Sequence, residues 1–164
     1  DYSTIQKAIE LVSVQLKDKK LLFIALGDID SRQMIGDVEI RYLSHVNSPE
    51  VMAQYYQAAD IYLHASKAES FGLVLVEAQA CGTPVIATSV GGIPDTIKHE
   101  ITGFLSQPED PEDMASKIVQ LLSNNDLMES MGKNASQFAK ANFGVDQMIA
   151  SYLSFYQEIL SEKE

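Results

Sequence analysis

Short, continuous apolar runs alternate with helical patterns along most of this chain, and that alternation constrains the fold more than any other feature. The run LLFIAL at 21–26 ends at Gly27 and predicts a buried parallel strand. Residues 3–16 before it carry apolar side chains at helical spacing. Strands separated by helices predict βαβ units. We therefore expect an α/β protein with a Rossmann-like open parallel sheet, helices on both faces and a helical C-terminal tail.

The remaining elements continue the same alternation. Further strands are expected at 38–43, nearer a sheet edge, and at 61–65, 85–88 and 103–106. Further helices are expected at 48–59, 73–80, 93–98, 111–123 and 126–141, the last interrupted at Gly132, and after Gly144. In sheets of this kind, ligands bind at the carboxyl ends of the strands, so the loops after the strands are the candidate site.

Length, charge and cysteine content exclude several functions. The 164 residues suit one domain, and the net charge of -11 argues against a nucleic-acid partner, which needs clustered Lys and Arg. The single cysteine, Cys81, allows no disulfide within the chain. No apolar run approaches the roughly 20 residues that span a bilayer. The chain starts at Asp1 without a Met or a signal pattern, and we interpret it as a piece of a longer protein.

The loop 65–72 follows a predicted strand, and Gly72 comes directly before a predicted helix. The backbone amides of Gly72, Leu73 and Val74 should therefore be free at the start of that helix. Free amides and the positive end of the helix dipole together make an anion site.

Two glutamates flank this helix start. Glu69 precedes it, and Glu77 lies about one turn inside it. A carboxylate repels phosphate, but it accepts hydrogen bonds from a sugar diol. The arrangement predicts a nucleotide-sugar site, with amides for the phosphates and carboxylates for ribose and sugar hydroxyls. The alternative interpretation is a solvated helix face whose apolar residues, LVLV at 73–76, are simply buried.

The segment 69–97, ESFGLVLVEAQACGTPVIATSVGGIPDTI, resembles the signature of the retaining glycosyltransferases of family 4. That signature has two glutamates separated by seven residues, and Glu69 and Glu77 match both ends. The resemblance continues at 40–56, 58–70 and 101–122, so it covers most of the chain. It implies the C-terminal half of a GT-B fold, in which two Rossmann-like domains face a cleft.

The resemblance also implies roles for particular residues. Glu77 resembles the acid that binds the donor ribose, and Glu69 the catalytic acid that contacts the transferred sugar. Donor binding would also involve the backbone around the sugar and diphosphate, at Ser70, Phe71, Gly72 and Leu73. Val46 resembles the position that packs against the base.

The expected function is therefore that of a hexosyltransferase, with a nucleotide-diphosphate sugar as donor, a glycan or lipid-linked acceptor, and no cofactor or metal. Residues 1–164 would form a single donor-binding domain that is truncated at its N-terminal strand and lacks the acceptor domain. The Arg and Lys that grip the diphosphate in the family would lie upstream of Asp1, so we expect the isolated chain to be inactive and to bind donor weakly. We expect a role in polysaccharide biosynthesis in the cytoplasm, with any peripheral contact at the inner membrane face made through the missing half.

Several alternatives remain open at this point. The chain could be a non-catalytic nucleotide-sugar-binding or scaffold module of the same fold, or a related sugar-nucleotide epimerase. Asp28-Ile29-Asp30 has the form of a metal-binding pair, but a solvated turn is the favoured interpretation. His45 is interpreted as a loop residue, and Lys67 as a cation that either contacts ligand or faces solvent. The pair Gly91-Gly92 either brings backbone near the donor or forms a plain turn.

Overall fold

The computed structural model describes residues 1–27 and 29–161, and the α/β class expected from the sequence is confirmed. Helices cover both faces of the strands, and two helices form a C-terminal tail. In chain order the described elements are α1 (Tyr2–Gln15), β1 (Leu22–Leu26), β2 (Ser31–Ile35), β3 (Val38–Leu43), α2 (Pro49–Ala58), β4 (Tyr62–His64), α3 (Leu73–Ala80), β5 (Val85–Thr88), α4 (Ile93–Thr96), β6 (Gly103–Ser106), α5 (Pro111–Leu122), α6 (Asn125–Phe143) and α7 (Val145–Ser161).

The described strands form two sheets of three, in the orders β1-β3-β2 and β4-β5-β6. All neighbouring strands are parallel except β2, which pairs antiparallel with β3 through a tight turn at Gly36-Asp37. The sequence interpretation missed β2. It was also wrong in placing 38–43 nearer an edge, because β3 lies between β1 and β2.

Helix α1 joins the two sheets at one edge. Its first residues meet the carboxyl end of β3, where the hydroxyls of Tyr2 and Tyr42 are 2.5 Å apart. Asp1, which precedes the helix, meets the end of β4, where its backbone nitrogen donates to the carbonyl of Ala65 at 2.7 Å. The carboxyl ends of the parallel strands in both sheets therefore lie on the same side of the molecule, where the candidate site is expected.

Strand β5 shows why a continuous apolar run is buried. Ile86 faces a cluster that includes α5 and α1, whereas Val85 and Ala87 face the opposite cluster with α3. Each face of β5 is thus covered by a helix layer, the usual arrangement for a buried strand of a parallel sheet. The buried strand fixes the position of the loop that follows Thr88.

Three local expectations were wrong. The run 21–26 is not buried on both faces, since Leu22 and Ile24 are each 46% exposed and only one face of β1 packs on α1. Helix α6 continues through Gly132 without a break, because this glycine allows close approach to Gly82: a Cβ there would lie 2.3 Å from the Gly82 carbonyl oxygen. Helix α4 ends at Thr96 rather than at 98.

The final helix, α7, is exposed along its whole length. None of its residues is buried, although it carries an apolar stripe that includes Tyr152, Phe155 and Ile159. Across the described ranges, no helix combines the length and apolarity needed to cross a bilayer.

Candidate functional site

The amino end of α3 carries unoccupied backbone donors. Gly72 caps the helix in the left-handed conformation, with φ of 82°. The amides of Gly72, Leu73 and Val74 have no hydrogen-bond partner among the described residues. Leu73 is 68% exposed whereas Gly72 is buried, so the helix end opens to solvent at Leu73. The anion site predicted from the sequence is therefore geometrically available.

The hydroxyl of Thr88 holds the start of the loop 65–72, which leads into α3, against the sheet. Oγ1 of the buried Thr88 accepts from the amide of Ser66 and donates to its carbonyl, both at 2.9 Å. Because the two bonds restrain the same residue, they fix the start of the loop at the end of β5.

The glycine pair after β5, Gly91-Gly92, also holds the loop 65–72 in place. The amide of Gly92 donates to the carbonyl of Glu69 at 3.0 Å. A Cβ at Gly91 would lie 1.9 Å from that same carbonyl oxygen, and one at Gly92 would lie 2.1 Å from the carbonyl oxygen of Ser70. The two backbones touch at a distance that only glycine permits. Gly91 and Gly92 thus support the loop 65–72, which we call the site loop. The two sequence interpretations, backbone near the donor or a plain turn, did not anticipate this role.

The carboxylate of Glu69 is held by its own loop. Its Oε1 accepts from the amide of Ser70 at 2.9 Å and, more weakly, from the amide of Phe71 at 3.4 Å. Its Oε2 lies 3.8 Å from Nε2 of His64. Glu69 therefore sits at the mouth of α3, as predicted, but it shares the Phe71 amide that was expected to serve the donor.

The carboxylate of Glu77 is held by a different element. The hydroxyl of Tyr56, a buried residue of α2, donates to its Oε2 at 3.3 Å. Burial raises the pKa of Tyr56 well above its ordinary value, with the Tyr62 phenol and Glu77 adding to the effect. Burial, with a smaller contribution from Glu77, raises the pKa of Tyr62 to about 12. Both phenols keep their protons near neutral pH, so Tyr56 remains a donor to Glu77.

The loop 44–48, which contains Val46, is anchored at both ends. The amide and hydroxyl of Ser44 donate to Oδ1 of Asp30 at 2.6 and 2.8 Å, and these bonds lower the pKa of Asp30. At the other end, Ser48 caps α2 by accepting from the amide of Val51. Val46 is half-buried between these anchors.

Of the suggested metal pair at 28–30, the structure describes Asp30 alone. Asp28 lies outside the described residues, and Asp30 is exposed in a turn where it braces Ser44. In the described part of the chain no three His, Cys, Asp or Glu side chains come together as a metal site would require.

Two further side chains of the site loop have partners elsewhere. The ring of Phe71 packs edge-on against Phe143 at the end of α6, with centroids 5.6 Å apart. The Lys67 ammonium pairs with Glu109, in the loop after β6, and lowers the pKa of that carboxyl. Lys67 is therefore engaged by an acid rather than presented to the helix end.

Four residues of the site escaped the sequence interpretation: Tyr56, Tyr62, Thr88 and, as a neighbour of Glu69, His64. Each reaches the site from an element other than α3 and its loop. His64 and Thr88 are the last residues of their strands, and this position was their only available signal, since the carboxyl ends of parallel strands meet at one edge. Tyr56, on α2, and Tyr62, at the start of β4, carried no such signal.

A sequence profile of the family described as "Glycosyl transferases group 1" matches residues 8–138, which is most of the chain. The chain belongs to this family. The fold agrees, because a glycosyltransferase from Rickettsia africae superposes with a TM-score of 0.79 at 27% identity, over 96% of this chain and 44% of that protein.

Two other proteins are similar to this chain. The N-acetyl-alpha-D-glucosaminyl L-malate synthase of Bacillus anthracis is 38% identical over 148 residues, which are 88% of this chain and 39% of that enzyme. Anabaena HepE, solved in complex with UDP-glucose, superposes with a TM-score of 0.63 at 31% identity, over 70% of this chain and 32% of that protein. The chain thus spans less than half the length of these similar proteins.

Proposed function

We propose that this chain is the donor-binding domain of a retaining family 4 glycosyltransferase that moves a hexose from a nucleotide-diphosphate sugar. The observation that carries the proposal is the amino end of α3, with three open amides between Glu69 and Glu77 in the sequence. A diphosphate there would accept hydrogen bonds from Gly72, Leu73 and Val74 and would be stabilised by the helix dipole. UDP-glucose is the first donor to test, because Anabaena HepE was solved with it.

Each acid has a separate task in this proposal. Glu77 accepts hydrogen bonds from the two ribose hydroxyls, while Tyr56 holds its carboxylate in place. Glu69 contacts hydroxyls of the transferred hexose and is the catalytic residue. The backbone from Ser70 to Leu73 borders the sugar and the diphosphate, and Val46 packs against the base.

The chemistry requires positioning and charge stabilisation rather than a protein nucleophile. The bond from the anomeric carbon to the leaving diphosphate breaks, and the acceptor oxygen bonds to that carbon on the same face, with retention. The acceptor proton passes to an oxygen of the leaving diphosphate. Negative charge that develops on the diphosphate is stabilised by the α3 amides. The proposal needs neither a cofactor nor a metal ion.

The whole enzyme would extend beyond this chain, since its relatives are more than twice as long. An acceptor domain would bind the glycan or lipid-linked acceptor and make any peripheral contact with the inner membrane face, with the enzyme in the cytoplasm and acting in polysaccharide biosynthesis. One further parallel strand would fit between β1 and β4, which each end a sheet and share α1. On this view the isolated chain binds donor weakly and does not transfer sugar.

Calorimetric titration of the chain with UDP-glucose, GDP-glucose and ADP-glucose tests the proposal. We expect one nucleotide to bind and Glu77→Gln to weaken it by about 1–3 kcal/mol, or roughly 5–150-fold, because the charged acceptor of the ribose is lost. Glutamine still offers Tyr56 an acceptor, so the fold should survive. The matched control is Glu129→Gln, an exposed acid on α6, which should leave the affinity unchanged.

Two outcomes would count against the assignment. Equal affinities of the Glu77→Gln variant and the wild-type chain for the nucleotide would contradict the proposed role of Glu77 in binding ribose. Failure of every nucleotide sugar to bind, even at concentrations far above those that saturate a full-length relative, would favour the non-catalytic scaffold module instead.

A further inference from the structure

His64 is the last residue of β4, at the carboxyl edge where the site loop begins. Its ring lies nearly parallel to that of Tyr62, with centroids 6.5 Å apart. Its Nε2 is fully shielded from solvent and has no hydrogen-bond partner in the described structure. Buried polar atoms in native proteins nearly always have a partner, so an unpaired ring nitrogen beside a candidate site needs an explanation.

The group that Nε2 faces is the carboxylate of Glu69. The 3.8 Å between Nε2 and Oε2 is longer than a hydrogen bond, which needs roughly 3 Å. Oε1 of the same carboxylate accepts from Ser70 and Phe71, so Oε2 is the oxygen turned toward the histidine. A shift of about 1 Å would close the contact. The same shift would release the Phe71 amide, whose bond to Glu69 is already long.

The surroundings of His64 favour a neutral ring that donates one N–H. Burial lowers the pKa of His64, and the negative charge of Glu69 opposes this effect. The phenol of Tyr62 is uncharged near neutral pH, and the paired residue of β5 is Ala87. Glu69 is therefore the charged acceptor that the described structure places near Nε2 of His64.

We propose that His64 is a positioning residue for Glu69: when donor binds, its Nε2–H donates to Oε2 of Glu69 and turns that carboxylate toward the transferred sugar. The movement adds the Phe71 amide to the free amides of Gly72, Leu73 and Val74. This inference rests on the proposed function and assigns to the same site the residue that orients its catalytic acid.

The first test needs no ligand. Nitrogen-detected NMR of the imidazole reports which ring nitrogen carries the proton, and we expect the Nε2–H form. In Glu69→Gln the pKa of His64 should fall, because a nearby negative charge that favours the protonated ring is removed. The matched control is Glu109→Gln, at the acid that pairs with Lys67, which should leave the pKa of His64 unchanged. The Nδ1–H form, or a pKa that ignores Glu69→Gln, would overturn the inference.

The second test separates the sugar from the nucleotide. Titrations with UDP and UDP-glucose compare the wild-type chain with His64→Phe, which keeps an aromatic ring, and His64→Gln, which keeps a side-chain N–H. We expect His64→Phe to lower the affinity for UDP-glucose by about tenfold, the size of one hydrogen bond to a charged group, and to change the affinity for UDP far less. His64→Gln should recover most of the loss.

The controls keep the two proposals distinguishable. Equal losses for UDP and UDP-glucose, or a His64→Gln variant no better than His64→Phe, would overturn the role of His64 while leaving donor binding intact. Absence of any nucleotide binding to the wild-type chain would instead overturn the proposed function, and the positioning role would fall with it.

Discussion

Substitution of Thr88 by valine offers a sharp test of how the site loop is held. Valine keeps the β-branched shape that suits a strand but removes the hydroxyl. In the structure that hydroxyl makes two hydrogen bonds of 2.9 Å to the backbone of Ser66, one as acceptor and one as donor. Thr88 is fully buried, so no compensating bond to water is available at the strand.

The expected magnitude follows from those two bonds. A typical intramolecular hydrogen bond contributes a net 0.5–1.5 kcal/mol, so the free energy of unfolding should fall by about 1–3 kcal/mol. In a domain of this size each kcal/mol shifts Tm by roughly 2–4 °C, which gives a decrease of roughly 2–12 °C. Because the loop that starts at Ser66 ends at the open amides of α3, its loosening should also weaken the affinity for a nucleotide sugar.

Thermal unfolding and calorimetric titration of the same samples measure both effects. The matched control is Thr102→Val, at a buried threonine before β6 whose hydroxyl accepts one hydrogen bond, from the amide of Lys98 at 3.0 Å. This control should lose about half as much stability and no affinity, since it lies at the amino edge of the sheet. Unchanged affinity in Thr88→Val, or a loss of stability no larger than in the control, would refute the reasoning.

Two further predictions concern the support of the site and the acid sensitivity of the fold. Gly91→Ala should cost about 1–3 kcal/mol more unfolding free energy in urea titrations than Gly27→Ala, because both have positive φ but only Gly91 would push a Cβ against a backbone oxygen; equal costs would contradict the contact. Burial raises the pKa of Asp113, but hydrogen bonds from Lys117 and Gln107 outweigh it and leave the pKa below the ordinary 3.8. A carboxyl whose pKa is lowered in the folded state stabilises the fold at pH values above 3.8. This contribution is lost as the pH falls through the folded-state pKa. Urea midpoints measured from pH 6 to pH 3 should therefore drop more steeply in the wild-type chain than in Asp113→Asn. If the midpoints of the two proteins fall in parallel with pH, the ionisation of Asp113 does not contribute to stability.

The elements that the sequence predicted well are bounded by glycine or proline. Helix 73–80 lies between two glycines, and strands 85–88 and 103–106 begin after proline and at glycine. Strand β2 was missed because its residues, SRQMI, are mostly exposed and show no apolar alternation. It forms because the turn at 36–37 folds the chain back onto β3, whose backbone provides the hydrogen-bond template. Burial of 21–26 was overestimated because apolar composition does not reveal how many faces of a strand have neighbours.

The sequence indicated the candidate site through residues that are close together in the chain, and it gave no signal for contacts that converge from different elements. Glu69, Gly72 and Glu77 belong to one loop and the helix that follows it, so their spacing alone indicated a helix start with two acids close to it. Tyr56 and Thr88 reach the same place from α2 and β5 through contacts more than 20 residues apart in the chain. No periodicity encodes such contacts, because they depend on which strands become neighbours.

The acidity of the chain and its candidate diphosphate site are compatible because the cations are placed elsewhere. Both arginines, Arg32 and Arg41, lie on the β1-β3-β2 sheet, where they pair with Glu39. Lys67, in the site loop itself, is paired with Glu109. In the proposed function, the attraction to a diphosphate comes from the neutral amides and the dipole of α3, which act over short distances and tolerate nearby carboxylates. On that proposal, the contacts at Thr88 and Gly91 that hold those amides in place contribute to donor binding together with the two acids.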